Sequence, residues 1–356
     1  IAIVSLSLGT ATVGAQEVCG LANVQYNRLH SDGFESLPAA SARSGEPTTA
    51  KTSETKPASP SVAKLDLGKP LGLAPKIAKG VAPTISITFP ADGASLPGRA
   101  FEIRGTFTGP VNTGISVNGS PALTFGNQWV SLPVRPAAGA FAITATATTM
   151  DSLTAAASRN VTVGSTAPDI ELLPRQIGNI APAEIGFRFR SSTSVVLGNV
   201  QVDFDGNGVD DYDGPASGIP VSFRYNAPGL YTARAKSLIS GNLVSTERTV
   251  LIADVVVQRE RACSVYGALR AALTANDIEA TLETFVAHKR ESMRPFFTAL
   301  GSNRPVFATR LGTIANGVIG VDHASLIALR IEGGEPIGYS VEFASGADGV
   351  WRITAF

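Results

Sequence analysis

The sequence PTISITFPADG, Pro83–Gly93, places Ile85, Ile87 and Phe89 at every second position and then enters a turn. Successive side chains of a β-strand point to opposite faces, so this alternation predicts a strand with one buried face. Comparable runs follow at short intervals, separated by glycine, proline and asparagine: AFEIRGTF, TGISVNG, NQWVSLPV, AFAITATATT and SRNVTVG. Short strands joined by turns, without helical periodicity, predict a β-sandwich over residues 83–164.

The next segment, residues 166–257, repeats the strand pattern. Its strand runs are AEIGFRFRSS, NVQVDFD, VSFRYNAPGLYTARAKSL and STERTVLIADV, and APGLY supplies a proline and glycine turn. These runs predict a second all-β sandwich. The first sandwich contains no cysteine, so we expect its core to consist of aliphatic residues together with Phe101, Phe141 and Trp129.

The C-terminal segment, residues 258–356, begins with a helical period. The apolar residues that recur at helical spacing are Val265, Leu269, Leu273, Ile278, Leu282 and Phe285. Asn276 followed by Glu279 predicts a helix N-cap, and Gly301 is expected to end the helical block. Strand-like runs follow: PVFATRLGTIA, HASLIALRIEG, PIGYSVEFAS and GVWRITAF. Helices followed by a strand meander predict an α+β domain.

Length and charge limit the classes of function. The chain has 356 residues, with 29 basic and 29 acidic side chains and a pI near 7.0. A chain longer than the roughly 250–300 residues that one core supports is expected to form two or three domains. Because the charges balance, the sequence offers no overall basic field for nucleic acid, which is not an expected partner.

The N-terminal residues resemble an export signal. Residues 1–15, IAIVSLSLGTATVGA, are apolar and end in Val13-Gly14-Ala15, which predicts a signal peptide, truncated at its start and cleaved after Ala15. The alternative is a short buried strand. No stretch has about 18 uninterrupted apolar residues, so we expect no transmembrane segment. Residues 16–82 are rich in proline, alanine, serine and lysine and predict a disordered linker. The expected location is secreted, periplasmic or exposed at the cell surface.

The chain has two cysteines, Cys19 and Cys263. In an oxidising compartment they could pair and join the N-terminal tail to the C-terminal domain. The sequence favours the other interpretation, a free Cys263 buried on a helix and an unpaired Cys19 in the tail.

Each of the three units resembles a known domain family. PTISITFPADGASLP followed by FEIRGTFTGPVNTGISVNG resembles the Ig-like repeats of secreted bacterial surface proteins. VDFDGNGVDDY followed by FRYNAPGLYTARA resembles a PKD-like domain. The helices, the meander and the closing DGVWRITAF are similar to NTF2-like (SnoaL-like) cone domains. The domain order is similar to that of secreted bacterial proteins associated with RHS-repeat proteins. The resemblance implies two all-β sandwiches followed by an α+β NTF2-like cone.

The acidic stretch DFDGNGVDDYDG, Asp203–Gly214, is a candidate calcium loop. Calcium takes about six to eight oxygen ligands, which EF-hand-type loops supply from alternating positions. The residues at the first, third, fifth, seventh and ninth positions are Asp203, Asp205, Asn207, Val209 and Asp211. The twelfth position holds Gly214 where such loops have glutamate, and no helices are expected on either side. The alternative is a plain hairpin turn formed by Asp-Gly and Asn-Gly.

The resemblance to the cone fold also raises the question of catalysis. Enzymes of this fold, such as ketosteroid isomerase, hold a carboxylate base and a hydroxyl or acid donor inside the cone. Tyr266 is the candidate donor, and Asp277, His288 and Asp322 are the candidate bases. None of them lies in a recognisable motif, and the sequence contains no phosphate loop, zinc-ligand spacing or nucleophile elbow. We therefore expect no catalytic residues and no cofactor other than calcium.

These observations favour a secreted or envelope-exposed, non-enzymatic binding or structural protein. Two sandwiches would form a stalk that presents a C-terminal interaction domain to a protein or glycan partner at the cell surface. One alternative is a carbohydrate-binding accessory protein, and a second is a small-molecule enzyme of the isomerase or dehydratase type. A glycan surface would need exposed aromatic residues. The candidates for it are Phe125, Trp129, Tyr212, Tyr225 and Tyr231.

Overall fold

The computed structural model describes residues 19–26, for which it gives the backbone alone, and residues 80–166, 168–175, 178–192, 195–216 and 221–356. The expected signal peptide and most of the expected linker lie outside these residues. Among the described residues, no helix is both long and apolar enough to cross a membrane.

The first unit is a β-sandwich made of two sheets. Its strands are β2 (Thr84–Phe89), β3 (Ser95–Gly98), β4 (Arg104–Thr108), β5 (Gly114–Val117), β6 (Ser120–Pro121), β7 (Leu123–Phe125), β8 (Gln128–Val130), β9 (Gly139–Thr148) and β10 (Thr154–Thr166). One sheet has the order β2-β4-β8-β7 and the other β3-β10-β9-β5-β6. The alternation is clearest in β9, where Ile143, Ala145 and Ala147 are buried between outward-facing neighbours.

The core of the first sandwich matches the expected composition in part. Trp129 is buried among aliphatic side chains, and its indole Nε1 donates to the Thr106 carbonyl at 3.3 Å. Phe101 and Phe141 are only half-buried and meet edge to face, with ring centroids 6.4 Å apart. The sandwich is therefore held mainly by isoleucine, valine and alanine, with one buried tryptophan.

The second unit is also a two-sheet sandwich. Its strands are β11 (Ile170–Pro174), β12 (Gly178–Ile180), β13 (Ala183–Ser191), β14 (Asn199–Asp203), β15 (Tyr212–Pro215), β16 (Val221–Tyr225), β17 (Gly229–Ile239) and β18 (Asn242–Ala253). The sheets have the orders β11-β13-β16 and β12-β18-β17-β14-β15. Aromatic side chains fill much of this core. Phe204 contacts both Phe187 and Phe223, with centroids 4.6 and 5.3 Å away.

The C-terminal unit has helices on one side of a sheet. The helices are α1 (Val255–Thr274), α2 (Ile278–Glu283), α3 (Ala287–Leu300), a 3₁₀ turn (Gly301–Asn303) and α4 (Arg304–Thr309). The strands are β19 (Thr313–Ile319), β20 (His323–Glu332), β21 (Glu335–Ser345) and β22 (Trp351–Ala355). They form the predicted antiparallel meander. Helix α1 starts at Val255, directly after the last strand of the second sandwich.

Two local predictions in this unit are wrong. The run PVFATRLGTIA was predicted as a strand, but its first half lies in α4, which begins at Arg304 and has a proline in its first turn. The predicted N-cap Asn276 has a positive φ of 56°, and the cap of α2 is the next residue, Asp277. Gly301 ends α3, but the helical block that it was expected to end continues through the 3₁₀ turn and α4 to Thr309.

An additional strand joins the C-terminal sheet. Residues Cys19–Tyr26 form β1, which pairs in parallel with β19. The prediction of a disordered linker over residues 16–82 is therefore wrong for these eight residues. They are apolar enough to form a strand, and their hydrogen-bonding partner lies almost 300 residues away, where local sequence patterns give no sign of it.

The expectation of a free Cys263 is also wrong. Cys263 is buried on α1, at 3% exposure, and is bonded in a disulfide. The chain has one other cysteine, Cys19, at the start of β1. A covalent bond thus secures the helical layer of the C-terminal unit.

The three units contact one another directly. Asn112, in a loop of the first sandwich, donates from Nδ2 to the Trp351 carbonyl and accepts from the Trp351 N–H, both at 2.9 Å. Glu102, buried in the first sandwich, accepts from the backbone N–H (2.8 Å) and hydroxyl (2.5 Å) of Thr249 in the second. The first sandwich therefore contacts both the second sandwich and the C-terminal unit.

Candidate functional site

The acidic loop connects β14 to β15 in the second sandwich. Two glycines allow its tight path, because Gly206 and Gly208 have φ values of +80° and +91°, a region that favours glycine. At Gly206 a Cβ would also lie 2.9 Å from the Thr232 carbonyl oxygen. The local sequence therefore folds as a hairpin, as the plain-turn interpretation predicts.

Three carboxylates of this loop converge. Oxygens of Asp203, Asp205 and Asp211 all lie within 4.8 Å of one another. Asp203 is buried at 4% exposure, Asp205 is half-buried and Asp211 is exposed. The loop thus gathers three acidic side chains at one point, with a gradient of burial from the sheet outward.

Backbone amides hold the buried carboxylate in place. Asp203 accepts at Oδ1 from the N–H groups of Gly206 (2.7 Å) and Asn207 (3.2 Å), and at Oδ2 from that of Gly208 (2.8 Å). Asp211 Oδ2 accepts from the Phe204 N–H at 2.7 Å. Because each carboxylate oxygen has two lone pairs, these bonds orient the acids and leave acceptor capacity for a cation.

The remaining predicted ligands fit less well. The amide oxygen of Asn207 accepts from the Val209 N–H at 2.7 Å, so this side chain folds back on its own loop. Val209 is 65% exposed. Asp210 lies outside the cluster and pairs with Lys236 at 2.9 Å. The structure thus brings together Asp203, Asp205 and Asp211 of the five predicted positions, which matches the donor chemistry of calcium but supplies only part of its usual ligand number.

A buried tyrosine lies beneath the loop. The Tyr225 hydroxyl donates to the Phe204 carbonyl at 2.9 Å, and the residue is 1% exposed. Burial, followed by the nearby charges of Asp205 and Asp211, raises the pKa of Tyr225 well above its usual range. The acidic loop therefore interacts with the aromatic core in two ways: the Phe204 carbonyl accepts the Tyr225 hydrogen bond, and the aspartate charges act on the Tyr225 hydroxyl.

The interior of the C-terminal unit is occupied by its own side chains. Tyr266, the candidate donor, is fully buried on α1. Its hydroxyl and that of Tyr339 both donate to the Leu311 carbonyl, and the two hydroxyl oxygens lie 2.9 Å apart. Burial is the largest cause that raises the pKa of Tyr266 above its usual range. The Tyr266 hydroxyl is therefore already hydrogen-bonded to other core residues.

The candidate bases lie away from this interior. Asp277 caps α2 by accepting from the Ala280 N–H at 3.1 Å. His288 is exposed in the first turn of α3. Asp322 is exposed, and its Oδ1 lies 2.8 Å from His323 Nδ1. The structure does not bring these residues together with Tyr266.

The candidate aromatic residues for a glycan surface are partly or fully buried. Trp129 and Tyr225 are core residues at 1% exposure. Tyr212 stacks on Phe189 with ring centroids 6.1 Å apart, and Tyr231 donates to the Ala227 carbonyl at 2.9 Å. Phe125 packs between units. None of the five forms an exposed aromatic platform.

Sequence reasoning missed two polar residues on the buried face of α1. Gln258 is 3% exposed and Arg261 is 9% exposed. They precede Val265 by seven and four positions, so they lie on the same helical stripe as the apolar core residues. That spacing is the signal that could have identified them, because an unaccompanied arginine on a buried stripe needs an explanation.

Comparison with known proteins finds β-sandwich modules among the solved structures, at low identity and low TM-scores. No family model and no curated protein matches the chain. The fibronectin(III)-like modules of CbhA from Clostridium thermocellum are 14% identical, cover 48% of this chain and 95% of their own, and have a TM-score of 0.19. The titin domains Z1Z2 in complex with telethonin are 14% identical over 50% of this chain and 99% of theirs, with a TM-score of 0.19. Dimeric latent PorU from Porphyromonas gingivalis is 11% identical over 56% of this chain and 22% of that chain, with a TM-score of 0.28.

The order of its own strands and helices makes the chain a multidomain β-sandwich protein with a small helical part near its C-terminus. Scores of this size carry no argument about activity, so function has to be argued from the residues.

Proposed function

We propose that this chain is a secreted or envelope-exposed, non-enzymatic binding or structural protein. In this proposal an Ig-like and a PKD-like sandwich support an NTF2-like cone that binds a protein partner at the cell surface. The association with RHS-repeat proteins is part of the same proposal. The observation that carries it is the contrast between the two faces of β20.

The inner face of β20 is buried against the helices of its own unit. Leu326 and Ala328 have no exposed surface and belong to the core that also contains Tyr266. These residues pack in the interior where a small-molecule enzyme of this fold would hold its substrate. This favours binding at the surface over catalysis inside.

The outer face of β20 carries apolar side chains toward solvent. Ile327 and Leu329 are 39% exposed and Ile331 is 70% exposed; we call these three residues the outer row. Gly338 of β21 lies opposite Leu329 and has no side chain to cover it. A contiguous apolar row on a sheet face is typical of a protein-binding surface.

The carbohydrate-binding alternative has less support. A glycan platform requires aromatic rings presented to solvent, and the five candidate aromatic residues named above are buried or half-buried, with the hydroxyls of Tyr225 and Tyr231 donating to backbone carbonyls. An apolar row of aliphatic residues fits a protein surface better than a sugar ring.

The test compares the wild-type chain with the variant Ile327→Thr/Leu329→Thr/Ile331→Thr. Threonine keeps strand propensity and removes the apolar surface. Each chain is used to capture surface proteins of the source cell, and the captured protein is identified, purified and titrated against both chains. We expect the variant to lose at least tenfold in affinity.

The matched control is Leu238→Thr/Leu243→Thr, which removes a paired apolar surface, 65% and 69% exposed, from the second sandwich. It should bind as the wild type does. Equal affinity of the outer-row variant and the wild type, or saturable binding of glycans to the sandwiches, would contradict the proposal.

We further propose that the acidic loop binds calcium and stiffens the second sandwich. The convergence of Asp203, Asp205 and Asp211 within 4.8 Å supports this assignment. An affinity of about 0.1–1 mM is expected for an extracellular module with an incomplete ligand set.

Calorimetry of the full chain with calcium tests the assignment. Asp205→Asn removes one charge from the cluster and keeps an oxygen that can accept from the Asn207 N–H. Asp213→Asn removes a charge from the neighbouring strand, where Asp213 accepts from Gln201 at 2.9 Å, and is the matched control. Saturable heat that is lost in the first variant and kept in the second is expected. Absence of saturable heat up to ~10 mM, tenfold above the usual extracellular range, would reduce the loop to a turn.

A further inference from the structure

A cavity of about 490 Å³ lies where the three units meet. Among the described residues, its walls come from β7 and its surroundings in the first sandwich, from β12 and β18 in the second, and from α1 and the strand ends of the C-terminal unit. Its volume is within the range of roughly 300–1,000 Å³ that small-molecule sites occupy. The cavity exists only because the units pack together.

The cavity contains a buried cation without a matching anion. Arg261 is 9% exposed, and its Nη2 donates to Thr124 Oγ1 of the first sandwich at 2.6 Å. Its Nε is buried and has no hydrogen-bond partner among the described residues. Burial alone lowers the pKa of Arg261 to about 10. No neighbouring carboxylate in the described part of the chain therefore offsets the cost of removing the guanidinium charge from water.

A buried acceptor lines the same cavity. Gln258 lies one helical turn before Arg261 and is 3% exposed, and its Oε1 has no partner among the described residues. Native proteins rarely leave buried polar atoms unpaired, because each such atom costs about 1–3 kcal/mol. Two unpaired polar groups on one wall therefore indicate a missing donor and a missing anion.

The other walls are mostly apolar. Leu123, Leu251 and Val321, one from each unit, line the cavity together with Trp351. The exposed Arg175 adds a second cationic side chain to the lining, whereas the exposed Asp322 lies against His323.

We propose that this cavity binds a small organic anion with an apolar body and a hydroxyl or amine donor. Arg261 pairs with its carboxylate, sulfonate or similar group, as guanidinium groups do. Gln258 accepts from its donor, and the leucine, valine and tryptophan walls contain its apolar part. This site is distinct from the outer row and does not depend on the function proposed above.

Two fluorescent probes that differ in one group test the proposal. 1-Anilinonaphthalene-8-sulfonate has the anion, the apolar body and an N–H donor, and N-phenyl-1-naphthylamine has the same body and donor without the anion. Each is titrated into the full chain with tryptophan excitation, because Trp351 lines the cavity and can transfer energy to a bound probe. We expect one saturable site that binds the sulfonate at least tenfold more tightly than the neutral probe.

Variants assign the binding to the cavity. Arg261→Met should weaken the sulfonate at least tenfold and leave the neutral probe unchanged, and Arg261→Lys should restore part of the preference. Gln258→Leu should weaken the binding of both probes, since both carry the N–H. This variant still tests the proposal if Arg261→Met does not fold. Arg259→Met, on the same helix but outside the lining, is the matched control and should bind as the wild type does.

Three outcomes would overturn the proposal: equal affinity for the two probes, a sulfonate affinity that Arg261→Met does not change, or no saturable binding of either probe. A parallel titration with inorganic sulfate separates the ligand classes. Displacement of the probe by sulfate at comparable concentration would show that the apolar walls do not contribute and would contradict the assignment to an organic anion.

Discussion

Replacement of Asn112 by alanine tests how the first sandwich is attached to the C-terminal unit. The Asn112 side chain makes two hydrogen bonds to the backbone of Trp351, both 2.9 Å long, and both residues are buried, at 5% and 1% exposure. The substitution leaves a buried N–H and a buried carbonyl without partners. At about 1–3 kcal/mol for each of the two orphaned groups, we expect the contact to lose about 2–6 kcal/mol.

Hydrogen exchange read at single residues is the suitable assay, because a multidomain chain does not unfold in one step. A loss of about 2–6 kcal/mol corresponds to a rise in the Trp351 amide exchange rate of roughly 30-fold to 20,000-fold. The Ile353 amide donates to the Thr284 carbonyl within the same unit and should change far less.

Asn118→Gly is the matched control. Asn118 also makes two side-chain bonds to backbone, to Ala142 and Thr144, but within the first sandwich, and glycine tolerates its positive φ of 48°. Exchange at Trp351 should stay at the wild-type rate in this variant. A Trp351 rate that changes less than about threefold in Asn112→Ala, equivalent to about 0.6 kcal/mol, would refute the reasoning that this side chain joins the units.

Three further predictions concern other contacts. Stability should fall as the pH rises above 10, because the unfolded chain then loses the Tyr225 proton while burial keeps it on the folded state; Tyr225→Phe should show a shallower loss in denaturant titrations at pH 9–11. Reduction of the disulfide of Cys263 should lower the free energy of unfolding of the C-terminal unit by about 2–5 kcal/mol, measured by denaturant titration with and without reductant, and an unchanged midpoint would contradict this. Gly114→Ala should separate the first and third units and increase the hydrodynamic radius, since a Cβ there would lie 2.2 Å from the Gly349 carbonyl carbon; Gly267→Ala, where a Cβ meets open space, should leave the radius unchanged.

The parts of the fold that the sequence predicted are those encoded by near neighbours. Alternation in AFAITATATT predicts β9 because a strand's buried face repeats every second residue, and Ile143, Ala145 and Ala147 are buried accordingly. Gly301 ends α3 because a glycine adopts the positive φ that closes a helix, although helical structure resumes at Arg304. The convergence of Asp203 with Asp205 follows in the same way from two glycines in one short loop.

The parts that were missed depend on residues far apart in the chain. The parallel pairing of β1 with β19 joins residues almost 300 positions apart, and no local period encodes it. The junction cavity needs Thr124, Leu251 and Arg261 from three separate units, so neither its existence nor its charge follows from any one segment. Asn207 was expected to face a cation, but its amide lies close enough to the Val209 N–H to bond locally instead.

The most direct test of the account is a side-chain footprint of the complex between the full chain and the partner identified by capture. Carbene labelling of the free and the bound chain reports the solvent exposure of individual aliphatic side chains. We expect labelling of Ile327, Leu329 and Ile331 to fall on binding, while labelling of Leu238 and Leu243 in the second sandwich stays constant. Unchanged labelling of the outer row, with protection confined to the two sandwiches, would contradict the claim that the C-terminal unit acts through its exposed sheet face.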